Sequence, residues 1–171
     1  MVKGLIFDLD QTIVNTSAAE ELRKQRNWQK VYSLIPSFKL YNGIYEVFNV
    51  IKTHDIRCCI VTTSPSVYAK KVVSHFNIPI EFIVDYFTTT QKKPHPDPMI
   101  KALELLKLAK HEVISFGDRA IDIKSSNAAG IESVACTWGT CEMDELLQSR
   151  PSFIISNPTD IIPLILNFKI N

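Results

Sequence analysis

Six short apolar runs recur along this chain of 171 residues, and the segments between them carry helical spacing. That alternation constrains the fold more than any other feature. Short runs rich in Val, Ile and Phe suit buried strands, and helices between them must cross back to keep the strands parallel. The expected strands cover residues 3–7, 56–61, 81–87, 112–116, 132–136 and 153–155. The expected helices cover residues 43–53, 66–76, 98–109 and 120–129, with a last apolar helix opening at Thr159 or Asp160. In residues 43–53 the apolar stripe is Ile44, Val47, Phe48 and Ile51. In residues 66–76 it is Val67, Val72, Val73 and Phe76, with Asn77 as the stop. Asp97 is the expected N-cap of the third helix, and Gly130 the C-terminal stop of the fourth. The fold class that follows is α/β, a Rossmann-like three-layer sandwich with a mostly parallel sheet. Residues 1–171 are expected to form one domain.

Residues 16–42 break the rhythm. They open with Thr16-Ser17-Ala18-Ala19-Glu20-Glu21, a helix start with early acids, and stop near Pro36. One helix plus a loop is expected there, inserted after the first strand. Its basic run, Arg23-Lys24-Gln25-Arg26 with Lys30, has the default of a solvated helix face, the sharper alternative being attraction of an anionic substrate. Trp28 and Tyr32, one turn apart, are expected to seal a small core.

Net charge is +1, so no global field draws the chain to nucleic acid or to a membrane surface, and only a local basic patch could do so. No apolar stretch reaches bilayer length. The N-terminus runs straight into the first strand, and no signal peptide is expected. Cys58 and Cys59 sit in an apolar run and point to opposite sheet faces, while Cys136 and Cys141 lack zinc-ligand spacing. Reduced thiols in a cytoplasmic protein are the expectation, with a Cys136–Cys141 disulfide as the weaker alternative.

Several apolar runs end on polar groups, and the carboxyl edge of such a sheet is where ligands bind. The first run ends on Asp8, and Asp10 follows two residues later. Carboxylates are costly to bury unless a cation or hydrogen bonds compensate them, so the pair points to a metal. Asp8 can attack phosphorus, and Asp10 can protonate a leaving oxygen and then activate water. Thr62 ends the run Ile60-Val61 and can hold phosphoryl oxygens. Lys93, ahead of Pro94-His95-Pro96-Asp97-Pro98, brings a positive charge to a crowded anionic site. Asp118 follows Phe116-Gly117 at another strand end and can bind Mg²⁺ through oxygen, with Asp122 four residues on. Thr63 beside Thr62 and Arg119 beside Asp118 are candidates for substrate contact. For Arg119 an ion pair or solvent exposure is the competing assignment.

In these motifs the chain resembles the haloacid dehalogenase superfamily of aspartate-nucleophile phosphohydrolases. The motifs are Asp8-Leu9-Asp10-Gln11-Thr12, Ile60-Val61-Thr62, Lys93 in its proline-rich loop, and Gly117-Asp118-Arg119-Ala120-Ile121-Asp122. Asn127-Ala128-Ala129-Gly130 and Thr137-Trp138-Gly139 are similar to the phosphoglycolate-phosphatase-like branch. The likeness spans the chain to about its last helix, residues 16–42 excepted. It implies an aspartyl-phosphate on Asp8, and Mg²⁺ held by the Asp8 carboxylate, the Asp10 backbone carbonyl and Asp118, with Asp122 in support. It favours phosphoryl chemistry, since dehalogenating members generally lack the second acid and the family's ATP-driven pumps carry threonine there. Gln11 departs from the pattern at a position that is often glycine, which should alter the shape of the turn rather than the chemistry.

Relatives of this branch carry a sizeable helical cap where residues 16–42 stand. A reduced cap predicts a comparatively open site, taking a phosphorylated small molecule or part of a macromolecule. A homodimer is compatible if the insert exposes an apolar face. The expected function is a Mg²⁺-dependent phosphatase. The alternatives are a regulatory protein that uses the insert to bind a partner and, more remotely, a phosphomutase.

Overall fold

The computed structural model describes residues 2–168. Its core is a six-stranded parallel sheet in the order β5-β4-β1-β6-β7-β8. The strands are β1 (Gly4–Phe7), β4 (Arg57–Val61), β5 (Phe82–Val84), β6 (Val113–Gly117), β7 (Glu132–Cys136) and β8 (Phe153–Ile155). A separate two-stranded ribbon pairs β2 (Val14–Asn15) with β3 (Lys39–Leu40) antiparallel. From β1 the chain adds β4 and β5 on one side, then returns to build β6, β7 and β8 on the other. The reversal opens a crevice beside β1 at the carboxyl edge, the place where such sheets bind ligands.

The six expected strands all form; the four inner ones are buried enough to use an apolar run on both faces, while the edge strands β5 and β8 are only partly covered. Side chains alternate across the sheet as a period of two requires. Leu5, Phe7, Cys58 and Ile60 join one core, and Ile6, Cys59 and Val61 the other. Phe7 and Phe116 are paired across β1 and β6 and stack at 5.0 Å. The first core lies under α3 (Ile44–Thr53), α4 (Ser66–Phe76) and α8 (Ile161–Asn167). The second lies under α5 (Asp97–Leu106), and α6 (Ala120–Ala129) and α7 (Met143–Gln148) extend that layer. The architecture is the three-layer Rossmann-like sandwich expected from the rhythm of the chain.

Several local expectations need correction. Residues 16–42 form two short helices, α1 (Glu20–Lys24) and α2 (Trp28–Leu34), rather than one. Arg26 turns into the left-handed region (φ 57°), and the Asn27 side chain accepts the Lys30 N–H as a fresh N-cap. The apolar stripe itself fails there, because the residues three and four beyond Leu22 are Gln25 and Arg26. In α4 the expected Val72 is buried and Val73 and Phe76 pack partly buried on the core, but Val67 is 54% exposed and Tyr68 and Ala69 turn inward in its place. α5 ends at Leu106, not at 109, because Lys107 adopts a left-handed conformation. Asp97 lies inside the first turn of α5 rather than capping it. The strand expected at 81–87 stops at Val84, where the Asp85 carboxylate accepts the Phe87 N–H in a turn.

Candidate active site

Four loops meet at the carboxyl edge. Asp8 follows β1, Thr62 follows β4, Asp118 follows β6, and Lys93 comes from the segment before α5. The Asp8 N–H donates to the Phe116 carbonyl (2.9 Å) and the Thr62 N–H to the Val84 carbonyl (2.9 Å), so both stand on extensions of the sheet ladder. One oxygen from each of Asp8, Asp118 and Asp122 lies within 4.8 Å of the other two. Lys93 Nζ, almost wholly buried, pairs with Asp8 Oδ1 (2.7 Å) and Asp122 Oδ1 (2.5 Å) and donates to the Val61 carbonyl (2.8 Å). Asp122 Oδ2 accepts the Arg119 N–H at the start of α6 (3.0 Å). Thr12 Oγ1 donates to Asp118 Oδ1 (2.8 Å).

Three carboxylates around one ammonium leave a surplus of negative charge in a buried place. Burial pushes Asp8 up to about 7, with Asp122 and Asp10 adding repulsion and Lys93 opposing them. Burial likewise pushes Asp118 up to about 8, reinforced by Asp8 and Asp122. Burial alone would lower Lys93, but Asp122 and Asp8 outweigh it and hold the ammonium above its ordinary range. An all-oxygen cluster with excess negative charge suits a hard divalent cation such as Mg²⁺.

Asp10 sits in a different setting. Its carboxylate accepts from Tyr68 OH (2.5 Å), Thr16 Oγ1 (2.9 Å) and Ser64 Oγ (2.9 Å), and pairs with Arg23 Nη1 (2.7 Å). Its side chain therefore stands outside the three-carboxylate cluster. Burial, reinforced by Asp10, keeps the Tyr68 hydroxyl far above its usual range, so it remains a donor. Thr62 is buried, and its hydroxyl accepts the Ser64 N–H (3.1 Å). Thr63 is exposed at the pocket wall. Arg119 also lines the pocket, half exposed, with Nε 3.8 Å from Glu142 Oε2.

The pocket above these groups has a volume of about 770 Å³. The insert walls one flank of it through Ser17, Glu20, Arg23, Lys24, Arg26 and Trp28. The default for the basic run therefore fails at Arg23, which turns inward, while Lys24 pairs outside with Glu20 and Glu21. Trp28 packs on Tyr68, ring centroids 5.7 Å apart, and so joins the core while also facing the pocket. His95 lies 3.0 Å from Asp97 and is not among the lining residues. Sequence reasoning missed Tyr68, Thr16 and Arg23 as partners of Asp10. Ser64 was visible only as a hydroxyl neighbour of Thr62.

Gln11 resolves its departure from glycine structurally. It takes a left-handed φ of 66°, which costs about 1 kcal/mol for a residue with a Cβ. Its side-chain oxygen accepts from Tyr41 OH (2.9 Å) and the Thr16 N–H (3.2 Å), which ties the turn to the insert. The loop after β7 packs directly against this turn. Trp138 Nε1 donates to the Thr12 carbonyl (3.0 Å), and a Cβ at Gly139 would lie 1.9 Å from the Gln11 carbonyl oxygen. Gly139→Ala is therefore expected to force the two loops apart. The expected loss is about 2 kcal/mol of stability. Thermal unfolding and phosphate release measured on the variant check both halves of this expectation.

A parallel α/β sheet with a buried lysine–carboxylate cluster at its switch point is the architecture of an enzyme-like cleft. The model of the family described as "Haloacid dehalogenase-like hydrolase" matches residues 19–136. The chain belongs to the haloacid dehalogenase-like hydrolase family. The matched span takes in most of the insert, whereas the resemblance drawn from the motifs set residues 16–42 aside. The chain is 29% identical over 131 residues to the pyrophosphatase PpaX of Bacillus cereus, covering 75% of this chain and 61% of that one. It is 27% identical over 131 residues to a phosphoglycolate phosphatase of Aquifex aeolicus, covering 75% and 60%. The chain thus spans about 60% of the length of these curated relatives. Its fold matches a solved subfamily IA hydrolase of the superfamily from Geobacter sulfurreducens with a TM-score of 0.78. That match has 19% identity and covers 96% of this chain and all of the other.

Proposed function

We propose that the chain is a Mg²⁺-dependent phosphatase that hydrolyses a phosphate monoester through an aspartyl-phosphate on Asp8. The observation that carries this reading is the convergence of Asp8, Asp118 and Asp122 within 4.8 Å, with Lys93 bridging two of them. Asp8, Asp118 and Asp122, with the Asp10 carbonyl, would hold the cation. Bound there, it supplies positive charge against the oxygens of the transferring group.

The residues then divide the work. An Asp8 carboxylate oxygen attacks phosphorus, and the bond from phosphorus to the leaving oxygen breaks. Asp10, two residues on, takes up a proton from solvent as its side chain leaves Arg23, gives it to that oxygen and later takes one from the water that cleaves the acyl phosphate. Thr62 and Lys93 steady the phosphoryl oxygens, while Thr63 and Arg119 meet the rest of the substrate from the pocket wall. Residues 1–171 act as one hydrolase domain in which residues 16–42 form a reduced cap, a role supported by their place in the pocket wall. Two relatives are named for pyrophosphate and phosphoglycolate hydrolysis, which supports a small phosphorylated substrate. A cytoplasmic setting is supported by Cys58, Cys59, Cys136 and Cys141, all free thiols. Among the described residues no helix is long and apolar enough to cross a membrane.

Phosphate release from pyrophosphate, 2-phosphoglycolate and 4-nitrophenyl phosphate, with Mg²⁺ and with EDTA, tests the reading. Absence of metal-dependent release on all three would count against it. Binding of the cation has its own readout in thermal unfolding. Mg²⁺ at about 100 times its dissociation constant adds about 2.7 kcal/mol, a rise in melting temperature of about 5–10 °C for a chain of this size. Asp118→Asn is expected to remove most of that rise. Protons compete for the same oxygens, so the rise should grow from about pH 6 to about pH 8.

A further inference from the structure

Among the described residues, Arg23 Nε is the one buried side-chain polar atom without a hydrogen-bond partner. A buried donor left unpaired costs about 1–3 kcal/mol, so its position calls for an explanation. Arg23 stands on α1, the five-residue helix of the insert, and its side chain lines the pocket. One end of its guanidinium is held by Asp10, with Nη1 2.7 Å from Oδ2. A guanidinium recognises anions as a fork, through two parallel N–H bonds. Nη1 and Nε lie on different edges of the guanidinium, so Asp10 takes one edge and the edge that includes Nε is left without an acceptor at that atom. Of the other cations on the pocket wall, Lys24 is engaged by Glu20 and Glu21 and Arg119 more loosely by Glu142, while Arg26 stands beyond them at the end of α1.

We infer that Arg23 receives a second anionic group of the substrate, carried on the leaving side of the transferring phosphoryl group. The inference rests on the phosphatase reading above, in which Asp10 faces the leaving oxygen. A residue paired with Asp10 meets whatever lies just beyond that oxygen. An anion there gives Nε the acceptor it lacks once the guanidinium turns from Asp10 toward the pocket it lines. Preferred substrates are then diphosphates or phosphate esters of short hydroxy acids, not esters of neutral alcohols. The shared chemistry is a phosphoryl or carboxylate group within a few bonds of the bridging oxygen.

The test compares wild type, Arg23→Gln and Arg23→Lys on pyrophosphate, 2-phosphoglycolate and 4-nitrophenyl phosphate with Mg²⁺. For Arg23→Gln, kcat/KM on pyrophosphate, on 2-phosphoglycolate, or on both should fall about 30-fold relative to the aryl ester, mostly through KM. Arg23→Lys should recover part of the loss. Which of the first two substrates responds more tells a phosphoryl from a carboxylate partner. An equal loss on all three would mean that Arg23 acts only through Asp10, and would overturn the inference. Calorimetric binding of methylenediphosphonate and phosphonoacetate, set against methylphosphonate, gives a readout that needs no turnover. An Arg23-dependent preference for the two probes that carry a second anionic group, without any phosphate release, would sink the phosphatase reading and keep the inference. Release without such a preference would do the reverse.

Discussion

Asp8→Asn is expected to lower phosphate release by at least about 10⁴-fold while the chain remains folded. The amide keeps the shape of the side chain but offers no nucleophilic oxygen of comparable strength, and it gives up one anionic ligand of the cation site. The fold should tolerate the change, because the Lys93–Asp122 pair at 2.5 Å and the bond from Lys93 to the Val61 carbonyl both remain. Stability of the metal-free protein should even rise at alkaline pH. Burial holds the folded Asp8 at about 7, above the 3.8 of an ordinary aspartate. The native state therefore binds this proton more tightly than the unfolded chain does. Stability attributable to the group falls as pH rises through that interval and stays low above it, and a neutral amide escapes the loss. Melting curves for both proteins with EDTA, one near pH 5 and one near pH 8, should show the variant gaining on wild type at the higher pH. Retained turnover in a clean preparation would remove Asp8 from the nucleophile's role.

Three parts of the site were legible through one physical signature, and Asp10, Lys93 and Asp122 through the motifs around them. Asp8, Thr62 and Asp118 each terminate an apolar run, and a run of that kind can only be a buried strand, so the position of its polar terminus follows. Residues that reach the site from elsewhere carry no such mark. Tyr68 lies on the buried face of α4, where a tyrosine reads as core, and only its hydroxyl bond to Asp10 gives it another part. Arg23 belongs to a charge run whose members look alike in sequence. The break in α1 and α2 at Arg26 rotates the two helices independently, and that rotation decides which cation turns inward. Periodicity failed in the insert, and in α4 it misplaced Val67 alone. Short helices held by tertiary contacts on several sides need no single regular stripe.

Lys93→Met is expected to cost about 3–5 kcal/mol of stability in the metal-free protein, a fall of about 10 °C in melting temperature. Methionine fills much of the same volume, so the loss comes from charge and not from a cavity. Without the ammonium, Asp8, Asp118 and Asp122 face one another within 4.8 Å in a buried place, and the Val61 carbonyl loses its donor. Two compensations should act on stability and not on activity. Saturating Mg²⁺ should recover part of the stability, since it supplies positive charge to the same oxygens. Adding Asp122→Asn to Lys93→Met should also recover part of it, because the surplus carboxylate is gone, giving a coupling of opposite sign to simple additivity. Neither should restore phosphate release, which is expected to remain at least about 10²-fold below wild type, since a fixed donor to the transferring phosphoryl oxygens is missing. A Lys93→Met protein that melts like wild type in EDTA would show that water already screens the three carboxylates. The cluster would then have no need of a cation, and the electrostatic case for the site would fail with it.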